Sequence, residues 1–285
     1  MSLPPEIEKL LASFPYEVCI DLEDGVQRVT QKNPGPFTGP GTNTHIVGSR
    51  EVFLLDPGVE DDVHFAAVVE AVGDRRVRGV FSSHAHPDHW PLSRRFADHF
   101  GSETLGFDQR SGFEPDRLLG DGEVLSTDDR RLDVLHTPGH ASDHLCLHDA
   151  SGGILFSGDH IMGWSTTIIG PPDGSLNDYM ASMERLLTLD FMTTYSAHGH
   201  VIEDGPARAR ELFDHRNERT EQALAALAQG PAEVVELVRT IYADTPEHLH
   251  GAAAQSLWAH LEALVESGQV LRTDGDPLEA TYRLS

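Results

Sequence analysis

The sequence reads Ser83-His84-Ala85-His86-Pro87-Asp88-His89 at the point that decides how this 285-residue chain is interpreted. Three imidazoles and one carboxylate within six residues are typical of a metal site, because few other roles need so many donor side chains together. The apolar residues 77–82 before this stretch predict a strand, and Pro91 after it predicts the start of a helix. The donors are therefore expected in a loop that leaves a strand.

Alternation along this loop separates the donors into two pairs. Side chains two residues apart in an extended segment point the same way, so His84 and His86 can bind one ion. Asp88 and His89 then face a second ion. Four donors are too few for two ions, so further donors are expected elsewhere in the chain.

Three later segments supply such donors, each directly after a predicted strand. They are Thr137-Pro138-Gly139-His140, Ser157-Gly158-Asp159-His160 and Tyr195-Ser196-Ala197-His198-Gly199-His200. Functional side chains concentrate in loops that a rigid scaffold holds in place. The sequence thus predicts a site assembled from separate strand ends.

The order of these motifs resembles that of the metallo-β-lactamase superfamily, which has an HxHxDH loop, then a His, an Asp and a final His. The resemblance implies three ligands for a first ion, three for a second and a carboxylate between the ions. They are His84, His86 and His140; Asp88, His89 and His198; and Asp159. Asp88 and Asp159 are also expected to be catalytic, Asp88 by orienting the nucleophile and Asp159 by holding the ions apart. His160, His200 and metal-bound water are candidates for protonating a leaving group.

The chemistry follows from this donor set. Nitrogen and oxygen donors suit two Zn²⁺ ions, which we expect, and also Mn²⁺ or Fe²⁺. Two such ions lower the pKa of a shared water to about 7, so a metal-bridging hydroxide is the expected nucleophile. We therefore predict an enzyme, a dinuclear metal-dependent hydrolase that acts on a small acyl substrate such as an ester, a thioester or a lactone.

Further segments resemble one branch of the superfamily, the β-lactamase-like protein 2 group, which is similar to glyoxalase II and ribonuclease Z. They are residues 41–48, 54–58, 215–219 and 241–250. The order of strands and helices predicts layered α/β packing, and the resemblance specifies an αββα metallo-β-lactamase sandwich over residues 1–205. Helices followed by two strands predict a C-terminal winged-helix-like domain over residues 206–285.

The net charge of the chain indicates which classes of partner it can bind. The chain has 46 acidic and 21 basic residues, a formal net charge of −25. Nucleic-acid affinity comes largely from basic groups that neutralise phosphates, so a small-molecule substrate is expected and a nucleic-acid partner is not. The C-terminal region is acidic too, which favours packing, dimerisation or pocket-covering over DNA binding. A homo-oligomer stays an open alternative.

Location is inferred from the apolar content. No apolar stretch has the length that a membrane span needs, and residues 3–9 carry prolines and acids where a secretion signal needs an apolar run. We therefore expect a cytoplasmic protein that does not bind membranes. Cys19 and Cys146 are isolated and are expected to be structural thiols.

Three alternatives remain open at this stage. One is a metal-dependent endoribonuclease for single-stranded RNA, with Arg94, Arg95 and Arg110 as the basic residues near the metal loop. The others are a non-catalytic binding module and a mononuclear iron oxygenase on the same fold. Metal analysis separates the oxygenase from a two-ion hydrolase.

Overall fold

The structure, a computed structural model, describes residues 14–110, 112–246 and 249–285. The N-terminal residues 3–9 and Glu247, on which two of the expectations above depend in part, lie outside this range. The contacts divide the chain into two compact units. Of the described residues, the first contains those up to Thr137 together with Asp143–Thr166 and Leu189–Arg208, and the second contains Pro138–Ser142, Thr167–Thr188 and those from Ala209 to Ser285. A domain boundary between residues 205 and 206 stays a prediction.

The first unit contains a seven-stranded sheet whose strands follow chain order. They are β1 (Cys19–Glu23), β2 (Val26–Thr30), β3 (Asn43–Val47), β4 (Glu51–Leu55), β5 (Arg76–Phe81), β6 (Glu103–Gly106) and β7 (Arg117–Leu118). Pairing is antiparallel from β1 to β4 and parallel from β4 to β7. Parallel neighbours need crossover connections, which α1 (Asp62–Val72) provides between β4 and β5 and α2 (Ser93–Phe100) between β5 and β6.

A five-stranded sheet forms the other half of this unit, in the order β12-β11-β10-β9-β8. Its strands are β8 (Val124–Ser126), β9 (Arg131–His136), β10 (Leu145–Asp149), β11 (Ile154–Gly158) and β12 (Thr193–Ser196). β8 to β11 pair antiparallel, whereas β11 and β12 are parallel. The predicted metal motifs follow β5, β9, β11 and β12.

Strand β4 shows why these elements form layers. Phe53 and Leu55 belong to the apolar cluster that also contains residues of the second sheet, whereas Val52 and Leu54 pack with Val68 of α1. Successive strand residues point to opposite faces, so an uninterrupted apolar strand is buried on both sides. The two sheets therefore pack face to face, and α1 and α2 cover the outer face of the first sheet.

Helix termini follow ordinary capping chemistry. The Asp61 carboxylate accepts hydrogen bonds from the amides of Val63 and His64 and so satisfies the first turn of α1. Helix α2 ends at Gly101, which has φ = 66°, a conformation that glycine adopts without steric strain. The metal loop thus lies between a buried strand and a helix with a defined end.

The second unit contains α3 (Leu176–Leu186) and most of α4 (Gly205–Leu227), followed by α5 (Val234–Ile241) and α6 (His250–Glu266). A small antiparallel sheet has the order β13-β15-β14, with β13 (Ala232–Glu233), β14 (Val270–Arg272) and β15 (Thr281–Leu284). Leu227, Leu237, Leu257 and Tyr282 belong to one apolar cluster of these helices and strands. The predicted helices and both predicted strands are present. None of the described helices is both long enough and apolar enough to span a bilayer.

Acid should destabilise the protein through His45. This ring lies in β3 near Phe156 and Tyr195, with centroid distances of 5.8 and 5.7 Å. Burial, with a smaller contribution from the charge of Arg28, lowers the pKa of His45 to about 3. The unfolded chain binds this proton near pH 6.5 and the folded chain does not, so stability that is present above pH 6.5 is lost as the pH falls toward 3.

We expect His45→Phe to reduce the loss of unfolding free energy between pH 7 and pH 5 by about 2 kcal/mol, measured by urea unfolding at both values. His99→Phe, which replaces an exposed histidine of α2, serves as the control. The same pH dependence in His45→Phe and in the unmodified protein would contradict the assignment.

Candidate metal centre

Backbone hydrogen bonds tie the donor-bearing loops of the first unit together. The Leu145 amide donates to the Ser83 carbonyl at 2.8 Å, which joins the metal loop to the start of β10. The Ala197 amide donates to the Gly158 carbonyl at 2.9 Å and so joins the loops after β11 and β12. The loops therefore meet at one edge of the two sheets, although they are far apart in sequence.

The side chains of these loops converge. Donor atoms lie within 4.8 Å of one another in two groups of this unit, one of His84, His89 and Asp159 and one of Asp88, His89 and His198. His86 is adjacent, because its Nδ1 lies 2.8 Å from Nε2 of His84. The second group contains the three residues predicted for the second ion. Asp159 meets His84 of the first predicted set and His89 of the second, as a carboxylate between two ions would.

The distances suit ligands around a cation. The Nε2 atom of His198 lies 3.3 Å from an Asp88 oxygen and 3.4 Å from Asp159 Oδ1, and Nε2 of His89 lies 3.6 Å from an oxygen of each carboxylate. Both Nε2 atoms are buried, and neither makes a hydrogen bond to any residue in the described parts of the chain. Buried polar atoms normally have a partner, so the donor set fits a divalent ion.

Charge at this site is concentrated on the carboxylates. Burial disfavours the charged form of Asp88, yet the imidazoles of His89 and His198 outweigh it and hold the pKa of this carboxyl below its usual range. Burial also opposes protonation of His89, but Asp88, Asp159 and Asp56 raise its pKa well above the ordinary value. Burial again works against the charge on His198, and Asp159 and Asp88 raise its pKa. The carboxylates thus stabilise positive charge at this site, and a bound cation supplies such charge.

Contacts behind the donors set their orientation. The Nδ1 atom of His198 donates to the Gly41 carbonyl at 3.1 Å, which leaves Nε2 as the lone-pair nitrogen. Nδ1 of His89 lies 3.5 Å from Oδ1 of Asp56, and the same oxygen accepts a hydrogen bond from the Ser83 amide at 2.7 Å. Asp56 has φ = 50°, a left-handed conformation uncommon outside glycine. Its carboxylate therefore orients both the metal loop and one of the loop's histidines.

Two residues that the motifs did not single out hold these loops from behind. The Asp143 carboxylate accepts a hydrogen bond from the Ala85 amide at 2.9 Å. His144 accepts one from the Asp159 amide at Nε2, 3.1 Å away, so its Nδ1 donates to Thr137 Oγ1 at 3.0 Å. Both residues are nearly fully buried. Their signal in the sequence is a polar pair placed between the Thr137–His140 motif and the buried strand β10.

His140 lies in the short segment that groups with the second unit. Its Nδ1 donates to the Ile168 carbonyl at 2.6 Å, which leaves Nε2 as the nitrogen that can bind a metal. Its ligand role stays a prediction. His160 is fully buried, and His200 is exposed with its ring 4.8 Å from that of Phe14. Neither of these two belongs to a donor group among the described residues.

Comparison with known proteins identifies the family. The model for the metallo-beta-lactamase superfamily matches residues 37–198, and that for the beta-lactamase associated winged helix domain matches residues 234–277. The chain therefore belongs to the metallo-β-lactamase superfamily. The match confirms the predicted fold class, a metallo-β-lactamase fold with a C-terminal winged helix, and makes the protein a hydrolase of this superfamily that binds divalent metal.

Three similar proteins cover most of the chain. A beta-lactamase-like protein 2 homolog of Drosophila melanogaster is 30% identical over 270 residues, 87% of this chain and 90% of the relative. An atrochrysone carboxyl ACP thioesterase of Claviceps purpurea (strain 20.1) is 32% identical over 232 residues, 77% of this chain and 73% of the relative. A metallo-beta-lactamase family protein from Thermus thermophilus has a crystal structure that matches with a TM-score of 0.75, at 25% identity, over 93% of this chain and 100% of that one.

Removing the Asp143 carboxylate should weaken metal binding although Asp143 is not a proposed ligand. Asp143→Ala deprives the Ala85 amide of its acceptor and loosens the loop between His84 and His86, so we expect metal affinity to fall by about 10- to 100-fold. Competition with a chromophoric chelator measures this. Asp108→Ala is the matched control, because Asp108 is an exposed carboxylate that pairs with the same arginine, Arg110. Unchanged affinity in Asp143→Ala would contradict the proposed support of the loop.

Proposed function

We propose that this protein is a dinuclear hydrolase that binds two Zn²⁺ ions and cleaves a thioester of a small acyl group. The observation that carries the proposal is the pair of donor groups that share His89, with Asp159 beside a donor of each predicted ion set. Seven residues would hold the ions. They are His84, His86 and His140 for the first, Asp88, His89 and His198 for the second, and Asp159 for both. A mononuclear oxygenase would not need two overlapping groups.

Bound divalent ions supply two things here, a lowered pKa for water and polarisation of the acyl carbonyl. Asp88 is more open to solvent than the two histidines of its donor group, with 24% of its side chain exposed against none for His89 and His198. It therefore faces the side from which water and substrate enter, and accepts a hydrogen bond from the attacking water. Asp159 is more enclosed and holds the ligand sets together.

The acidity of the leaving group favours a thioester substrate over an ester or an amide. A thiol has a pKa of about 8.5, so a thiolate leaves near neutral pH without prior protonation, whereas an alkoxide or an amide anion does not. The fungal relative named as an ACP thioesterase points to the same class of bond.

Charge counts against single-stranded RNA as the substrate. The three arginines predicted near the metal loop each lie beside a carboxylate. Arg94 pairs with Asp116 at 2.7 Å, Arg95 with Asp62 at 2.7 Å and Arg110 with Asp108 at 3.5 Å. Arginines paired in this way, in a chain with a formal charge of −25, make a poor surface for a polyanion.

The proposal is tested by comparing substrates on metal-quantified protein. We expect two zinc ions per chain and the highest kcat/KM for acyl thioesters, with lower values for esters and lactones and none above background for phosphodiesters and single-stranded RNA. The same assays after treatment with a chelator provide the control. A single ion per chain, or cleavage of RNA faster than of every thioester, would overturn the proposal.

Replacing Asp159 by alanine should abolish catalysis without unfolding the chain. The variant loses the carboxylate that lies beside a donor of each predicted ion set, so we expect fewer than two ions per chain and a fall in kcat by more than about 100-fold. Circular dichroism and metal analysis accompany the rate measurement. Asp98→Ala, which removes an exposed carboxylate of α2, should keep both properties. Full turnover and full metal content in Asp159→Ala would refute the bridging role.

A further inference from the structure

Arg216 is a charged residue in an unusual place. It lies in α4 within the second unit, has 2% exposure, and belongs to the run 215–219 that the resemblance marked without assigning a role. Its Nε makes no hydrogen bond, and no carboxylate pairs with it, within the ranges that the structure describes. A buried guanidinium without a counter-ion destabilises a fold, so packing alone does not explain its presence.

The contacts of Arg216 show what it holds. Its Nη2 donates to the Thr167 carbonyl, and its Nη1 donates to Ser256 Oγ at 3.1 Å. The guanidinium also lies 5.6 Å from the centre of the Tyr179 ring, a cation–π distance. The planar guanidinium thus lies between residues of α3 and α6, and its Nη2 atom is directed at the main-chain carbonyl of Thr167.

The hydrogen-bonded groups beside Arg216 are neutral. Burial, helped by the nearby charge of Arg216, lowers the pKa of His260 to about 3, so that imidazole is uncharged. Nδ1 of His260 donates to Thr220 Oγ1 at 2.8 Å, and Thr220 Oγ1 donates to the Arg216 carbonyl at 3.1 Å. The helix that carries the arginine is therefore fixed by neutral hydrogen bonds in addition to the contact with Thr167.

The carbonyl that Arg216 binds is next to one that orients His140. Thr167 precedes Ile168, whose carbonyl accepts the Nδ1 proton of His140 at 2.6 Å. The turn that bears His140 has two further anchors on the same segment of the second unit. The Ser175 amide donates to the Gly139 carbonyl and Ser182 Oγ donates to the Pro138 carbonyl, both at 2.8 Å.

We propose that Arg216 is a positioning residue for the metal ligand His140. By fixing the Thr167 peptide it fixes the Ile168 carbonyl, which holds the His140 ring in the orientation and tautomer that keep Nε2 available to an ion. The second unit thereby orients a predicted metal ligand through its own main chain. This inference rests on the proposed two-ion function.

The experiment measures metal affinity in Arg216→Met. Zinc is titrated in competition with a chromophoric chelator, and the Co²⁺-substituted protein reports ligand geometry through its visible absorption spectrum. We expect one of the two ions to bind about 10- to 100-fold more weakly and its Co²⁺ band to shift, with the other ion unchanged. Arg219→Met is the matched control, because Arg219 lies on the same helix but donates to the Ile241 carbonyl. It should leave both affinities unchanged.

A double-mutant cycle separates positioning from general loosening. In a His140→Ala background Arg216→Met should cause no further loss of zinc affinity, because the residue through which it acts is gone. An equal loss in both backgrounds, or no loss in either, overturns the inference. If Arg216→Met does not fold, the same cycle is carried out with Arg216→Gln, whose amide can still donate to the Thr167 carbonyl. We then expect a smaller loss of zinc affinity, and only in the protein that retains His140. If the unmodified protein binds fewer than two ions, that result contradicts the proposed two-ion function and not the role of Arg216 alone.

Discussion

The structure depends on one constraint, the burial of imidazole and carboxylate donors at a single edge of two packed sheets. His89 and His198 present Nε2 atoms that meet carboxylate oxygens only at 3.3 to 3.6 Å, too long for a strong hydrogen bond. Two carboxylates so close together repel each other when ionised. A cation among them removes both penalties, so the loops that carry the donors are stable together only around a positive charge.

Most of the fold was predictable because apolar periodicity is a local property of the chain. The apolar run of β4 and the helical spacing in α1 are readable within a short window of the sequence. β7, β8 and β13 are two or three residues long and exist because a neighbouring strand supplies their hydrogen bonds. The same limit applies to the second unit, because no local pattern in residues 138–142 or 167–188 shows that they pack with the C-terminal helices.

The residues of the candidate site also divide into those that local sequence predicts and those that it does not. Its donors were predicted because metal chemistry demands particular residue types at strand ends, and that order is visible in one dimension. Of the residues behind them, Asp143 was not predicted, since its contact with the Ala85 amide spans 58 positions. An aspartate that accepts an amide proton has the same one-letter signature as one on the surface. Only the folded backbone distinguishes the two.

The arginines of the second unit show how this unit uses its positive charge. Winged-helix units that bind DNA carry their basic residues on the surface, where phosphates can reach them. Here Arg216 is turned inward and bound to a main-chain carbonyl, and Arg219 donates to the Ile241 carbonyl while stacking on Tyr242. Positive charge used in this way orders polypeptide instead of attracting a polyanion. Because the Thr167 peptide that Arg216 contacts adjoins the carbonyl that holds His140, this use of positive charge supports the proposed positioning of a predicted metal ligand within the second unit.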